Sequence, residues 1–122
     1  MKALILDTSS ILFAASNKID IFEVAKYSFP DCSLEVSDGI IAELKGMRGS
    51  TRKEKVYAGI ALKMLEKSGI EAYKDNGKVD IWIVKRAQQS GAGVCTNDVN
   101  LKRYLKRSKV KVFSISRDGR IK

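Results

Sequence analysis

Residues 93–107 read GVCTNDVNLKRYLKR. A short apolar run over 93–96 stops abruptly at Asn97 and Asp98, and a segment studded with lysine and arginine begins. A run of that length bounded by turn residues predicts a buried strand. An aspartate placed just before a new helical rhythm predicts a cap. Leu101 and Leu105 then mark the inward face of a helix over about 98–107, with Lys102, Arg103, Lys106 and Arg107 outside. A strand, a polar corner and an amphipathic helix follow one another within fifteen residues.

The same alternation extends in both directions. Strand-like runs fall at 3–6, 34–36, 70–73 and 110–115. Helical spacing fills the gaps. Over 20–29, Ile21, Val24, Ala25 and Tyr27/Ser28 follow a helical rhythm behind Asp20, an N-cap residue type. Over 51–68, Val56, Ile60, Met64 and Leu65 are expected on one face, with Lys53, Lys63 and Lys67 off it and Gly69 just past the end. Further helices are expected at 39–46 and 79–90, and one beginning near Ser9. Strands alternating with helices predict a parallel sheet covered on both faces. The expected fold class is α/β, a three-layer α/β/α sandwich with a central, mostly parallel sheet. With 122 residues, one proline and no linker-like stretch, residues 1–122 are expected to form a single domain.

Composition narrows the chemistry. The chain has no histidine, which removes Ser-His and Cys-His nucleophile pairs, histidine bases and histidine metal ligands. Cys32 and Cys95 form no zinc spacing and suit a reducing compartment. The N-terminal MKALILD meets an acid at its seventh residue, unlike a signal peptide, and no apolar run is long enough for a membrane span. A cytoplasmic location is the expectation. Against 14 acidic residues stand 23 basic ones, a formal charge of +9, and such an excess on a small domain points to nucleic acid.

Four acids occupy telling positions. In an open parallel sheet, functional groups gather outside the carboxyl ends of the strands. Asp7 directly follows ALIL, Asp98 follows GVCTN, Asp80 opens the helix of NGKVDIWIVKRA, and Glu43 lies one turn into the helix of SDGIIAELKG. Each has a purely structural reading as well. Asp7, Asp80 and Asp98 suit helix caps, and Glu43 suits a solvated helix face.

Taken together, LDTSSIL at 6–12, IIAELK at 40–45, VDIWIVKRA at 79–87 and CTNDVNLKRYL at 95–105 resemble, in order, the motif series of PIN-domain nucleases. The resemblance covers essentially the whole chain. It implies that Asp7, Glu43, Asp80 and Asp98 are the catalytic and metal-site carboxylates, with Ser9 and Thr96 as supporting polar residues. It also implies one or two Mg²⁺ or Mn²⁺ ions as cofactor and hydrolysis of RNA to a 5′-phosphate and a 3′-hydroxyl. The chemistry is consistent: clustered carboxylates repel one another, and hard divalent cations that prefer oxygen ligands relieve that repulsion. Two positions depart from the family pattern. Asn100 stands where many relatives carry a further acid, and Ile81 follows Asp80 where the ribosomal-RNA-processing branch often has a second aspartate.

Beside an acidic site, the run of Lys102, Arg103, Lys106 and Arg107 is expected to track RNA phosphates, with Arg48, Arg52, Lys53 and Lys55 as a second basic group. Partners that fit are RNA, an antitoxin or a ribosome-assembly protein, and a second copy of the chain in a homodimer. Both a toxin and an RNA-processing or ribosome-maturation role suit the motifs, the order and the short ending favouring the latter slightly. The alternative is an RNA-binding scaffold that keeps the fold without efficient catalysis. A receiver domain fits poorly, since one acid rather than a pair follows the first strand, and Gly91-Ala92-Gly93 precedes a strand where a dinucleotide fold would place it after.

Overall fold

The computed structural model describes residues 1–47 and 51–122. Five strands, β1 (Ala3–Leu6), β2 (Ser33–Ser37), β3 (Ala72–Tyr73), β4 (Gly93–Cys95) and β5 (Val112–Phe113), form one sheet in the order β3-β2-β1-β4-β5. Every strand pairing is parallel, with Leu4 opposite Leu34 and Ile5 opposite Val94 at the centre. Among the described residues the helices are α1 (Thr8–Ser16), α2 (Ile21–Ser28), α3 (Asp38–Gly46), α4 (Arg52–Ser68), α5 (Val79–Ser90) and α6 (Val99–Arg107).

The alternation of side chains along β1 builds the layers. Leu4 and Leu6 point to one face, where they join Val36, Cys95 and the inner residues of α1 to α4. Ala3 and Ile5 point to the other, where they meet Val94 and the inner residues of α5 and α6. The expected three-layer α/β/α sandwich is therefore present. Each fully buried leucine or isoleucine contributes roughly 1.5–3 kcal/mol to this core.

Local signals explain the element ends. Asp20 accepts hydrogen bonds from the Phe22 and Glu23 N–H groups and starts α2. Thr51 and Glu54 form a reciprocal capping box at the start of α4, and Gly69, at φ 71°, closes it in the left-handed region.

Several expectations are corrected. The inner face of α4 is Ala58, Ala61 and Leu65, whereas Val56 and Ile60 are 52% and 36% exposed. Small alanines let α4 lie close against α1 and α3, and size alone pointed to the wrong stripe. On α2 the buried residues are Ile21, Phe22 and Ala25, while Tyr27 is 89% exposed. The two edge strands are two residues each, shorter than the apolar runs around them, and beyond β5 Ile115 makes an isolated antiparallel bridge to Ile121. Both cysteines are free; Cys32 is half-buried, and burial pushes the Cys95 thiol up to about 12. Among the described residues no helix is long and apolar enough to cross a membrane.

Two cross-ties fix α5 and the loop before it. Glu35, buried in β2, accepts a two-pronged pair of hydrogen bonds from Arg86 of α5, both 2.9 Å, and Arg86 also lies 4.6 Å from the centre of the Tyr73 ring. The Asp75 carboxylate accepts the Gly39 N–H at 3.1 Å and the Gly77 N–H at 2.9 Å, while Asp38 Oδ1 accepts the Asp75 N–H at 3.2 Å. Burial pushes the Asp75 pKa up, but hydrogen bonds from Ser37, Gly77, Asp38 and Gly39 outweigh it and hold the carboxyl below its usual range.

Gly39 has no room for a side chain, because a Cβ would collide with the Asp75 carboxylate and lie 2.6 Å from Val79 Cγ2. Overpacking costs roughly 1–3 kcal/mol, and alanine recovers at most about 1 kcal/mol over glycine in a helix. Gly39→Ala should therefore lower stability by about 1–2 kcal/mol in urea unfolding; an unchanged midpoint would show that the Asp75 clasp yields easily.

Candidate functional site

Because all five strands run parallel, their carboxyl ends share one edge, and the four acids enter there. Asp7 follows β1 directly, and Asp98 lies just beyond β4 as the N-cap of α6. Glu43 sits in α3, which follows β2 without a break, and Asp80 is the second residue of α5.

Asp7 is the buried member. Its Oδ1 accepts the Thr8 N–H at 2.8 Å. Its Oδ2 accepts the Ser9 hydroxyl at 2.9 Å and the Thr96 hydroxyl at 2.7 Å. Those hydroxyls are themselves held, since the Asn97 N–H donates to Ser9 Oγ at 3.0 Å and the Asp98 N–H to Thr96 Oγ1 at 3.1 Å. Ser10 donates to both the Asp7 and Cys95 carbonyls, and the Asn97 side chain pairs with the backbone of Ile115 in both directions. The ends of β1 and β4 are thus stitched together around one carboxylate.

The other three acids are partly exposed to solvent. Asp98 caps α6 through Oδ1 alone, accepting the Asn100 and Leu101 N–H groups at 2.9 and 3.1 Å. Asp80 is not a cap: the N-cap of α5 is Lys78, which makes no side-chain cap bond, and Asp80 lies inside the first turn. Burial raises the Asp80 pKa, and the charges of Asp7 and then Asp98 raise it further. For Glu43 burial again raises the pKa most, the Thr8 hydroxyl lowers it, and the charges of Asp7, Asp80 and Asp75 add to the rise. Glu43 and Asp80 each feel Asp7, and Asp80 also feels Asp98.

The donor set is all hard oxygen, the kind that suits Mg²⁺ or Mn²⁺. Among the described residues no three of the acids form a ready-made metal clasp. That arrangement still fits Mg²⁺, which keeps several of its waters and takes only one or two carboxylates. Thr8 Oγ1 is buried and, among the described residues, is the one buried side-chain oxygen or nitrogen without a hydrogen-bond partner. It lies near enough to Glu43 to lower that carboxyl's pKa but forms no hydrogen bond of good geometry with it, and a hydrated ion would give it a partner.

Ser9 and Thr96 both donate their hydroxyls to Asp7. Thr8, Ser10 and Asn97 were missed by sequence reasoning, although the polar runs DTSS and TND, each directly after an apolar strand, carry the signal. Arg103, Lys106 and Arg107 are exposed on α6 and Lys102 is half-buried. Arg52, Lys53 and Lys55 are exposed at the start of α4, and Arg48 lies outside the described residues.

Fold and site together define a parallel α/β protein with an acidic cleft at its carboxyl edge. The sequence matches the PIN like domain family over residues 4–118, and the chain belongs to that family. It is 28% identical to ribonuclease VapC9 of Archaeoglobus fulgidus over 123 residues, covering 99% of this chain and 88% of that protein. Its fold is similar to that of the PIN domain endonuclease Utp24, with a TM-score of 0.78 and 27% identity over 98% of this chain and 90% of that one.

The raised carboxyl pKa values carry a stability cost. The folded state disfavours ionisation of Glu43 and Asp80 relative to the ordinary values of 4.5 and 3.8. That cost is absent below those values, where folded and unfolded chains are both protonated, and complete above the raised ones. Glu43→Gln should therefore raise the melting temperature in EDTA at pH 7 by about 2 °C, a gain that fades as the pH falls toward about 4. A variant no more stable than wild type at pH 7 would show that the acids do not repel.

Proposed function

We propose that this chain, read as one domain over 1–122, is a divalent-metal-dependent endoribonuclease. Asp7, Glu43, Asp80 and Asp98 would hold one or two Mg²⁺ or Mn²⁺ ions and direct hydrolysis of an RNA phosphodiester. The observation that carries the reading is the position of Asp7 after β1, Asp98 after β4, Glu43 in α3 and Asp80 in α5, all toward the carboxyl edge of the sheet and close enough that Glu43 and Asp80 both feel Asp7, in a family whose relatives include a ribonuclease and an endonuclease. When bound, such an ion supplies a nucleophilic water at neutral pH and offsets charge gathering on the phosphate. The chain's part is positional. A carboxylate offers about four acceptor sites, and Asp7 has three occupied by Thr8, Ser9 and Thr96, which hold the group in place and leave about one site free for a cation. Asp98 keeps Oδ2 outside its capping bonds. Lys102, Arg103, Lys106 and Arg107 position the RNA backbone without reading its sequence.

A second reading, an RNA-binding scaffold without efficient catalysis, is favoured by one observation: no three of the described acids form a ready-made clasp. Cleavage assays on structured and unstructured RNA with Mn²⁺, Mg²⁺ or EDTA separate the two. For the cellular setting, cutting at one site in ribosomal RNA precursors would mark a processing enzyme. Growth arrest relieved by a cognate antitoxin would mark a toxin.

Asp98→Asn keeps a capping side chain, so folding should stay within about 0.5 kcal/mol of wild type. Metal-dependent cleavage should fall by more than the roughly 10–100-fold that loss of a mere supporting partner costs. Full activity in this variant would reduce Asp98 to a cap.

The basic face gives a separate test. Changing Lys106 and Arg107 to Ala should weaken binding to many RNA sequences alike, and lower the log–log salt slope by roughly 0.7 for each phosphate no longer neutralised. An unaltered slope, with thermal unfolding as control, would move the RNA track away from α6.

A further inference from the structure

Between α5 and α6 the surface opens into a cavity of about 640 Å³ that begins at Asp80 and Asp98 and runs outward between the two helices. Its composition differs from that of the cleft. Ile81, Val84 and the ring of Tyr104 make an apolar wall, and Ile81 and Tyr104 are 51% and 56% exposed. Leu101 and Leu105 already supply the core packing of α6. Tyr104 thus presents a large aromatic ring that the fold does not use.

The polar groups around that ring are the second observation. Lys85 lines the cavity from α5 and takes part in none of the ion pairs among the described residues. Gln88 and Asn100 bring two side-chain amides, each both donor and acceptor, to the same space. One aromatic face, two amides and one ammonium match the needs of a nucleotide: a stacking surface, partners for base edges and a charge for phosphate. An apolar peptide or helix would leave the amides and the ammonium without partners. A base inside a duplex cannot enter such a recess without leaving its stack.

We propose that the α5–α6 cavity is a subsite for one unpaired nucleotide of RNA, its base stacked on Tyr104 and a backbone phosphate held by Lys85. The subsite rests on the reading of the chain as a nuclease and assigns two residues outside the four acids, Tyr104 and Lys85, to holding its substrate. Its position makes the occupant the nucleotide next to the phosphate held at the acids. Selectivity for unpaired RNA then comes from this cavity, because the basic face of α6 binds phosphates of any strand.

The test is binding in EDTA, where no cleavage occurs, of a fluorescently labelled single-stranded oligoribonucleotide and of the same strand in a duplex. Tyr104→Ala should weaken single-strand affinity about tenfold, within the range a stacked base contributes, and leave duplex affinity unchanged. Tyr104→Phe, which keeps the ring, should bind as wild type does. Lys85→Gln should lower the salt slope by roughly 0.7. An oligonucleotide with an abasic residue at the occupied position should show the same loss with wild type and no further loss with Tyr104→Ala. Thermal unfolding of each variant checks that α6 stays folded.

Equal losses for single strand and duplex, no effect of Tyr104→Ala, or no single-strand binding by wild type would each overturn the subsite. So would self-association that depends on Tyr104 while RNA affinity is unaltered, which would assign the groove to a second copy. Tyr104-dependent binding without any cleavage in Mn²⁺ would leave the subsite standing and remove the nuclease. Cleavage with Tyr104-independent binding would do the reverse.

Discussion

Asp7 is the point at which sheet and site become one structure. Burying a carboxylate without partners costs several kcal/mol, so its neighbourhood must supply donors. It does so with a backbone N–H and two hydroxyls, one from the first turn of α1 and one from the residue just past β4. The hydroxyls in turn accept the N–H groups of Asn97 and Asp98. Removing the Asp7 carboxyl group would leave these donors without an acceptor and loosen the join between the two central strands. The same bonds aim the carboxylate and fix where Asp98 begins its helix.

The remaining acids are placed less directly, by elements that would drift apart without ties. Glu43 rides on α3 and Asp80 on α5, and their carboxyl groups repel each other and Asp7. Two contacts oppose that repulsion. Arg86 grips Glu35 and anchors the middle of α5 over β2. Asp75 grips Gly39 and is gripped by Asp38, which locks the first turn of α3 to the loop that launches α5. Neither tie hydrogen-bonds to the four acids, although the charge of Asp75 is felt at Glu43, and each holds in place an element that carries one of them.

Much of this architecture was legible in the residues. The alternation of apolar runs with helical spacing gives the α/β/α layers, and Asp7 and Asp98 stand out because hydroxyls and acids follow at once upon apolar strands. What was hidden depends on distance along the chain or on small side chains. Glu35 lies in a strand, where a charge suggests exposure, and its partner comes 51 residues later. Gly39 and Asp75 are 36 residues apart, and nothing local announces their contact. The inner stripe of α4 was misread because Ala58 and Ala61 carry little hydrophobic signal, and only close approach to α1 and α3 gives them their place. Whether Asp80 caps its helix also depended on which residue starts α5, a boundary that propensity does not fix.

The charge layout sets two length scales against each other. At physiological salt an excess of basic charge attracts RNA over about 8 Å, the screening length. Inside the cleft, over shorter distances, the acids repel the same phosphates. On the proposed reading, RNA collects on the basic faces whether or not a cation is present, and a phosphate enters the cleft only when one is. The repulsion that weakens the fold is then the property that makes the cleft selective for a cation-bridged phosphate. Stability given up at Glu43 and Asp80 is the ordinary cost of a site held ready for a charged ligand. The buried ties around Asp7, Glu35 and Asp75 are what allow the fold to carry it.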